Sequence, residues 1–289
     1  MLPTAGKYIV AVSGGVDSVV LLDILRQEPG LELLVAHFDH GMRSDSSEDR
    51  EFVEDLAESY GLPFIHEEGR LGIGASEATA RAARYKFLHK VRQSNGAAAI
   101  ITAHHQDDVL ETAIINLLRG TGRKGLTSLQ SRADIVRPLL SFPKSALLTY
   151  AKRTPLVWHE DSTNQNLDYL RNYVRQKILP RLGDEGRAQL LEIINQTRDI
   201  NDELDGLLEL LSDGGGLKRN FLNQLPHPVA REVMAGWLRQ RAVGNFGSKT
   251  LERLVVAAKT ASAGQVFPVL GGYFMEVKRR DLALRVPER

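Results

Sequence analysis

The chain has no cysteine in its 289 residues, only 4 methionines, and an aromatic content of 6%. Without a thiol it forms no disulfide, holds no thiolate-bound zinc and offers no cysteine nucleophile or persulfide. No apolar run approaches the roughly 20 residues that span a bilayer. The opening residues, MLPTAGKYIVAVSGG, lead directly into a strand pattern, with no signal-peptide apolar region or cleavage site. A cytoplasmic protein without membrane association is expected. There is no internal repeat and no low-complexity tract.

Strong net charge is also missing, at +1 overall, but its distribution is uneven. Residues 216–289 carry 13 Lys and Arg against 5 Asp and Glu, a net of +8, whereas residues 1–215 carry 24 against 31, a net of −7. The asymmetry points to one part that handles a polyanion and another that does something else.

What is present is an alternation of apolar and amphipathic stretches. KYIVAVS (7–13), LELLVAHFDH (31–40), LPFIHEE (62–68), AAAIITAHH (97–105) and ADIVRPLL (133–140) read as strands. Several are continuously apolar, as strands buried on both faces are. Helical patterns run from Asp45 (with Glu48 in capping-box spacing) to Tyr60, from Ser76 to Gln93, from Asp107 to Leu118, and after Ser141, read as an N-cap with Pro143 in the first turn. The fold class expected is α/β. A doubly wound, mainly parallel sheet with flanking helices should be followed by a long linker helix and a small α+β C-terminal domain.

The linker helix is read from Leu190, Ile194, Thr197, Ile200, Leu204, Leu207 and Leu211, which recur at helical spacing up to the glycines at 214–216. Two further helical patterns (228–241 and 248–261) precede a hairpin-like stretch turning at Gly271–Gly272. The expected domains are a catalytic one at 1–185, the linker at 186–215 and a small basic one at 216–289.

A glycine-rich turn, SGGVDS at 13–18, follows the first strand, and it too lacks something: the lysine of a P-loop. Ser13, Gly14, Gly15, Val16, Asp17 and Ser18 would set close backbone approach, hydroxyl donors and a helix N-terminus against phosphate. A loop free of that lysine can hold the β- and γ-phosphates as a leaving group, so that attack falls on the α-phosphate. Asp39 and His40 end the second strand, where open α/β sheets place chemistry, with Arg43 following within reach of phosphate.

Asp108 and Glu111 stand i and i+3 on one helix, so both carboxylates face one way. They could hold an ammonium and take its proton, or form a solvated acidic helix start. His104 and His105, adjacent on a strand, would face opposite sides and so not chelate one ion together. Arg171 and Arg175 (i, i+4), and Arg81 and Arg84 (i, i+3), each form a pair suited to carboxylate or phosphate, or simply a surface pair. Lys278 and Arg280 flank Arg279 in the last hairpin and would meet a polyanion together if the run is a strand.

SGGVDS resembles the pyrophosphate loop of the N-type ATPases. Taken with DHGMR (39–43), SEATARAARYKFL (76–88), HHQDDVLET (104–112), RPLL (137–140), WHEDSTNQN (158–166) and RNYVR (171–175), it is similar to the tRNA(Ile)-lysidine synthetase family over about residues 8–182, and more loosely at the C-terminus. Many members continue into a further C-terminal domain not included in this sequence.

The resemblance implies that ATP, with Mg²⁺, adenylates the C2 oxygen of the wobble cytidine in tRNA(Ile) bearing a CAU anticodon. The ε-amine of L-lysine then displaces AMP and forms lysidine. It implies catalytic roles for Asp39, Asp108, Glu111, Arg81 and Arg175. It implies substrate contacts for His40, Arg43, His104, His105, Arg171, Lys278 and Arg280, with Arg81 near the phosphates and Arg171 or Arg175 gripping the lysine carboxylate or the α-phosphate. No metal ligand follows from the sequence. Oligomeric state is open, a homodimer among the alternatives.

Three rivals share parts of the pattern. A tRNA thiolase needs a cysteine to carry sulfur. An ammonia-using synthetase gives the basic C-terminal region no purpose. A non-catalytic nucleotide-binding module has no need of Asp39, Asp108, Glu111 and the paired arginines.

Overall fold

In the computed structural model the first apolar run forms β1 (Gly6–Ala11) and the glycine turn opens α1 (Val16–Leu25). The structure describes residues 3–41, 46–69, 72, 76–159, 169–211, 216–241, 243 and 246–286. Next come β2 (Leu31–Asp39), α2 (Ser46–Ser59), β3 (Phe64–Glu68), α3 (Glu77–Ser94), β4 (Ala99–Ile101), α4 (Gln106–Leu118), α5 (Arg123–Leu126), β5 (Ile135–Val136) and α6 (Lys144–Arg153). The five strands pair in parallel in the order β3-β2-β1-β4-β5.

The continuous apolarity of the strands has a direct cause. Alternate side chains enter two different cores. Tyr8, Val10, Leu33 and Val35 pack with Val20, Leu21 and Leu22 of α1, Val53 and Ala57 of α2, and Leu147 and Ala151 of α6. Ile9, Leu34, Ala36 and Phe38 pack with Phe87, Leu88 and Val91 of α3 on the other face. With α3 crossing to that face, the strand order reverses between β1 and β4, and a crevice opens beyond their carboxyl ends.

Two local expectations change. Ser141 is not an N-cap: α6 begins at Lys144, and Pro143 holds the cap position with no side-chain bond. The ring of Pro143 pushes the preceding residue, Phe142, out of helical geometry, and the Phe142 carbonyl accepts from Gln106 N instead. The strand read over 97–105 is only three residues long, so His104 and His105 lie in the β4–α4 connection. Asp45, read as a helix start, lies outside the described residues, and α2 begins at Ser46.

After the sheet, α7 (Leu170–Tyr173) continues through a π-helical turn at Val174–Ile178 into α8 (Leu179–Leu211), whose backbone breaks at Gly183 (φ +60°). Val174, Leu179 and Ile194 form a third core with Val109, Leu110 and Ala113 of α4. The chain divides into two compact units, Met1–Thr197 and Arg198–Arg289, so the division falls within α8.

The second unit holds β6 (Leu217–Lys218), α9 (Arg219–Gln224), α10 (His227–Gln240), α11 (Ser248–Thr260), β7 (Val266–Pro268), β8 (Phe274–Val277) and β9 (Asp281–Arg285). Its antiparallel sheet, β6-β9-β8-β7, turns Met275, Val277 and Leu282 onto Met234, Trp237 and Leu254 of the helices. Gly271 and Gly272, both at positive φ, form the hairpin corner. No helix among the described residues is long and apolar enough to cross a membrane.

Candidate active site

The glycine turn is shaped by its own hydrogen bonds. Gly14 has φ +91°, a conformation that a Cβ resists, and a Cβ there would also lie 3.4 Å from Phe52. Gly15 is the N-cap of α1 and accepts Ser18 N at 3.0 Å and Val19 N at 3.1 Å. The Ser18 hydroxyl donates to the Gly15 carbonyl at 2.8 Å and receives Ser13 N at 3.2 Å. The turn therefore closes over the start of α1, and Ser13, Gly15, Asp17 and Ser18 border the crevice there.

A chain of charges links this turn to α4. Asp17 Oδ2 lies 3.2 Å from Lys144 Nζ and 3.5 Å from His105 Nε2, and the same Nε2 lies 3.5 Å from Asp108 Oδ2. Asp17 Oδ1 is enclosed and has no hydrogen-bond partner. Burial works against ionisation of Asp17, yet His105 and Lys144 outweigh it and hold the carboxyl below its ordinary value. His105 is 1% exposed, and here also burial opposes the charge while Asp17 and Asp108 prevail, so its pKa is raised above 6.5.

These shifts have opposite pH signatures. The raised His105 value stabilises the fold in full below about pH 6.5, and that contribution is lost as pH rises through the raised pKa. The Asp17 contribution stands above pH 3.8 and is lost as pH falls through its lowered pKa. In urea unfolding between pH 6 and 9, His105→Gln should flatten the alkaline decline in midpoint. An unchanged decline would remove the imidazolium from the fold's electrostatics.

His104 behaves differently from its neighbour. Its Nδ1 is 2.8 Å from the Thr102 hydroxyl. Burial, followed by Arg137, Arg84, Arg81 and Arg171, pushes its pKa well down, so it is neutral. Strand alternation predicts that the two histidines diverge. The structure separates them by placing His105 at the N-cap of α4, where its N–H donates to Asp108 Oδ2 at 3.0 Å. Among the described residues no group of three His, Asp or Glu side chains is arranged to hold a metal ion.

The pair Asp108 and Glu111 shares a helix face but not an environment. Asp108 borders the cavity, with Oδ1 3.5 Å from Arg175 Nη2 and 3.9 Å from Arg171 Nη1. Glu111 is 0% exposed and is held by Arg175 through two bonds, Nε to Oε1 at 2.6 Å and Nη2 to Oε2 at 3.0 Å. Burial keeps the Glu111 carboxyl above the ordinary glutamate range, against the pull of Arg175. The π-helical turn carries Arg175 at this point.

One cavity of about 520 Å³ gathers much of the expected site. Ser13, Gly15, Asp17, Ser18, Asp39, His40, Arg81, His104, Asp108 and Arg171 all line it. Gly14 and Val16 are buried beneath the turn, while His105, Glu111 and Arg175 stand behind Asp108. Asp39 Oδ1 accepts Gly41 N at 2.7 Å, and its carbonyl accepts Gly69 N at 2.7 Å. Any Cβ on Gly69 would come within 2.6 Å of Phe38, so that close approach requires glycine.

Arg43 lies outside the described residues, as do residues 160–166 of the WHEDSTNQN stretch. Lys278 and Arg280 lie in the second unit. They belong to the exposed β8–β9 turn, where Lys278 N donates to Asp281 O at 2.8 Å, so strand alternation does not sort them.

Sequence reasoning overlooked several residues in and beside the cavity. His159 stacks on Phe52 (4.3 Å between centroids), donates its backbone N–H to Gly14 O, and pairs with Asp49 at 2.8 Å. The quoted motif contained it without a role. Lys144, the counter-ion of Asp17, sits in a helix with no motif to mark it. His37 offers Nδ1 to Val12 O at 2.9 Å, and burial lowers its pKa.

The PP-loop domain family matches residues 3–182. A tRNA(Ile)-lysidine synthase of Nostoc sp. is 31% identical over 98% of this chain and 92% of that protein. One from Synechococcus sp. is 34% identical over 89% of this chain and 85% of that protein. One from Thermus thermophilus is 35% identical over 96% of this chain, which spans only 57% of that relative's length. The chain likewise spans 57% of the relative from Solibacter usitatus. Among solved structures, the U34-tRNA thiolase NcsA of Methanococcus maripaludis has a TM-score of 0.56 at 18% identity, covering 69% of this chain and 73% of that chain. That likeness concerns the fold.

Proposed function

From the premise that this chain belongs to the tRNA(Ile)-lysidine synthase family of PP-loop proteins, we propose that it joins L-lysine to C2 of the wobble cytidine in tRNA(Ile) with a CAU anticodon. ATP supplies the activation. In the first step the cytidine O2 attacks the α-phosphate and pyrophosphate leaves. In the second, the lysine ε-amine attacks C2, the C2–O bond breaks, AMP leaves with the bonding pair, and the amine gives up its protons.

The observation that carries this reading is the single cavity in which the glycine turn and Asp108 face the same space. The turn offers N–H groups and hydroxyls to a β,γ-diphosphate leaving group. Asp108 offers a carboxylate to an ammonium and then to its proton. Arg81 lies on the same wall, suited to charge developing on the α-phosphate. Arg171 presents a guanidinium fork that matches the lysine carboxylate. Glu111 and Arg175 act through Asp108, by fixing it.

Mg²⁺ would arrive with ATP. It commonly keeps several waters and takes one or two protein carboxylates beside the phosphates. The partnerless Oδ1 of Asp17 fits that need. The exposed turn with Lys278 and Arg280 suits RNA phosphates, which position a substrate without reading its bases.

The deciding assay uses a tRNA(Ile) transcript with a CAU anticodon, radiolabelled ATP and L-lysine. Pyrophosphate release should require RNA, and AMP release should require both RNA and lysine. Turnover of ATP with ammonia and no RNA would sink the proposal.

A further inference from the structure

Two arginines of α3, Arg81 and Arg84, and Arg171 at the start of α7 converge on the cavity wall. They surround the neutral His104. Arg137, 5% exposed, stands behind them, donating to Gln130 O and, at 3.3 Å, to the Tyr85 hydroxyl. Arg81 and Arg84 lie over the Tyr85 ring at 4.9 and 5.6 Å.

This is an excess of positive charge with little to balance it. Arg171 has Glu77 at 3.2 Å and Asp108 at 3.9 Å. Arg84 has no carboxylate within ion-pair distance among the described residues, and its Nε is enclosed without a hydrogen-bond partner. Burial, joined by Arg81, Arg171 and Arg137, pulls the Arg84 pKa down. His104, being neutral, adds no counter-charge. A guanidinium so placed costs stability until an anion arrives.

We propose that Arg84, beside Arg81 and Arg171 on the cavity wall, forms an oxyanion site, separate from the glycine turn, for the RNA phosphodiester adjoining the base under modification. The proposal rests on the RNA substrate argued above. The chemistry of the site is that of a single oxyanion, which a phosphodiester or the carboxylate of an amino acid could supply. Arg171 alone can fork a carboxylate. With Arg171 matched to that carboxylate and Arg81 to the α-phosphate, Arg84 is the guanidinium left over, and it suits a phosphodiester, which a strand necessarily carries on either side of a base delivered into a cavity.

The test measures binding without turnover, on the full chain. A fluorescein-labelled anticodon stem-loop with a CAU loop is titrated by anisotropy across a salt series against wild type, Arg84→Met and Arg84→Lys. ATP and L-lysine are titrated separately by calorimetry. Arg84→Met should weaken RNA binding about tenfold and reduce the log–log salt slope by about 0.7, the value for one lost contact to a single strand. Its melting temperature should hold or rise, because a cation with no carboxylate beside it has been removed. Arg84→Lys should keep the slope, and lysine and ATP affinities should stay within about twofold of wild type.

Unchanged RNA affinity in Arg84→Met overturns the site. A loss confined to lysine assigns the oxyanion to the amino-acid carboxylate and overturns the RNA assignment. A markedly lower melting temperature makes Arg84 a structural cation and also overturns it. Because no product is measured, a chain that binds RNA through Arg84 but makes no lysidine would refute the proposed reaction alone.

Discussion

Asp108→Asn should stop the second step of the proposed reaction and spare the first. The side chain faces the cavity, and its two oxygens already have distinct duties. Oδ2 receives the His105 N–H at 3.0 Å, and Oδ1 stands 3.5 Å from Arg175. An amide oxygen can still cap the helix, so the fold should hold. It cannot pair with an ammonium or accept its proton. General-base contributions of this kind are worth about 10²–10⁴-fold in rate. Lysidine formation should fall by that order, while RNA-dependent pyrophosphate release stays within about threefold of wild type. Quench-flow with labelled ATP should show adenylated RNA accumulating. Equal loss of both steps would move Asp108 to the nucleotide.

Glu111→Ala should act on stability first. The carboxylate is 0% exposed, and Arg175 holds it through bonds of 2.6 and 3.0 Å. Removing it takes from the partly buried Arg175 its bidentate partner and leaves Asp108 at 3.5 Å, and breaking a buried pair costs about 3–5 kcal/mol. For a unit of this size each kcal/mol moves the melting temperature by about 2–4 °C, so a drop of roughly 6–20 °C is expected. The double change Glu111→Leu plus Arg175→Met removes both charges and should recover most of that loss. If the double variant is as unstable as the single one, the loss is one of packing, not of a stranded cation. If Glu111→Ala melts as wild type and loses only the lysine step, Glu111 reaches the substrate after all.

That second case marks where spacing stops being informative. An i, i+3 pair of carboxylates on α4 does share a face, as the sequence implies. The face is divided by depth. Its first turn opens on the cavity, and its second lies under the π-helical turn that delivers Arg175. Periodicity gives the direction of a side chain about the helix axis and says nothing of what covers it. The His104–His105 pair shows the same limit. Strand alternation predicts divergence, and the two do diverge, but the cause is the N-cap of α4. Their opposite pKa shifts come from Asp17 and Asp108, acting against burial, on one side and from burial joined by four arginines on the other.

Lys144 and Arg84 carry no local signal strong enough to assign them. Lys144 meets Asp17 from 127 residues away in sequence. Arg84 is distinguished only by what is absent around it.

The sequence by itself determined the strand–helix alternation, the parallel class of the first sheet and the glycine turn that opens α1. These depend on interactions within a few residues: apolar runs long enough to bury two faces, glycine at a positive φ, and a helix N-terminus beside it. The lack of cysteine likewise settled, with no structure needed, that no thiol chemistry belongs to this chain. Only the tertiary structure decided which charged groups face solvent-filled space and which face one another. A side chain's charge state depends on burial and on partners brought together by the crossing of α3 and the return of the chain through α7, and no local pattern encodes that distance.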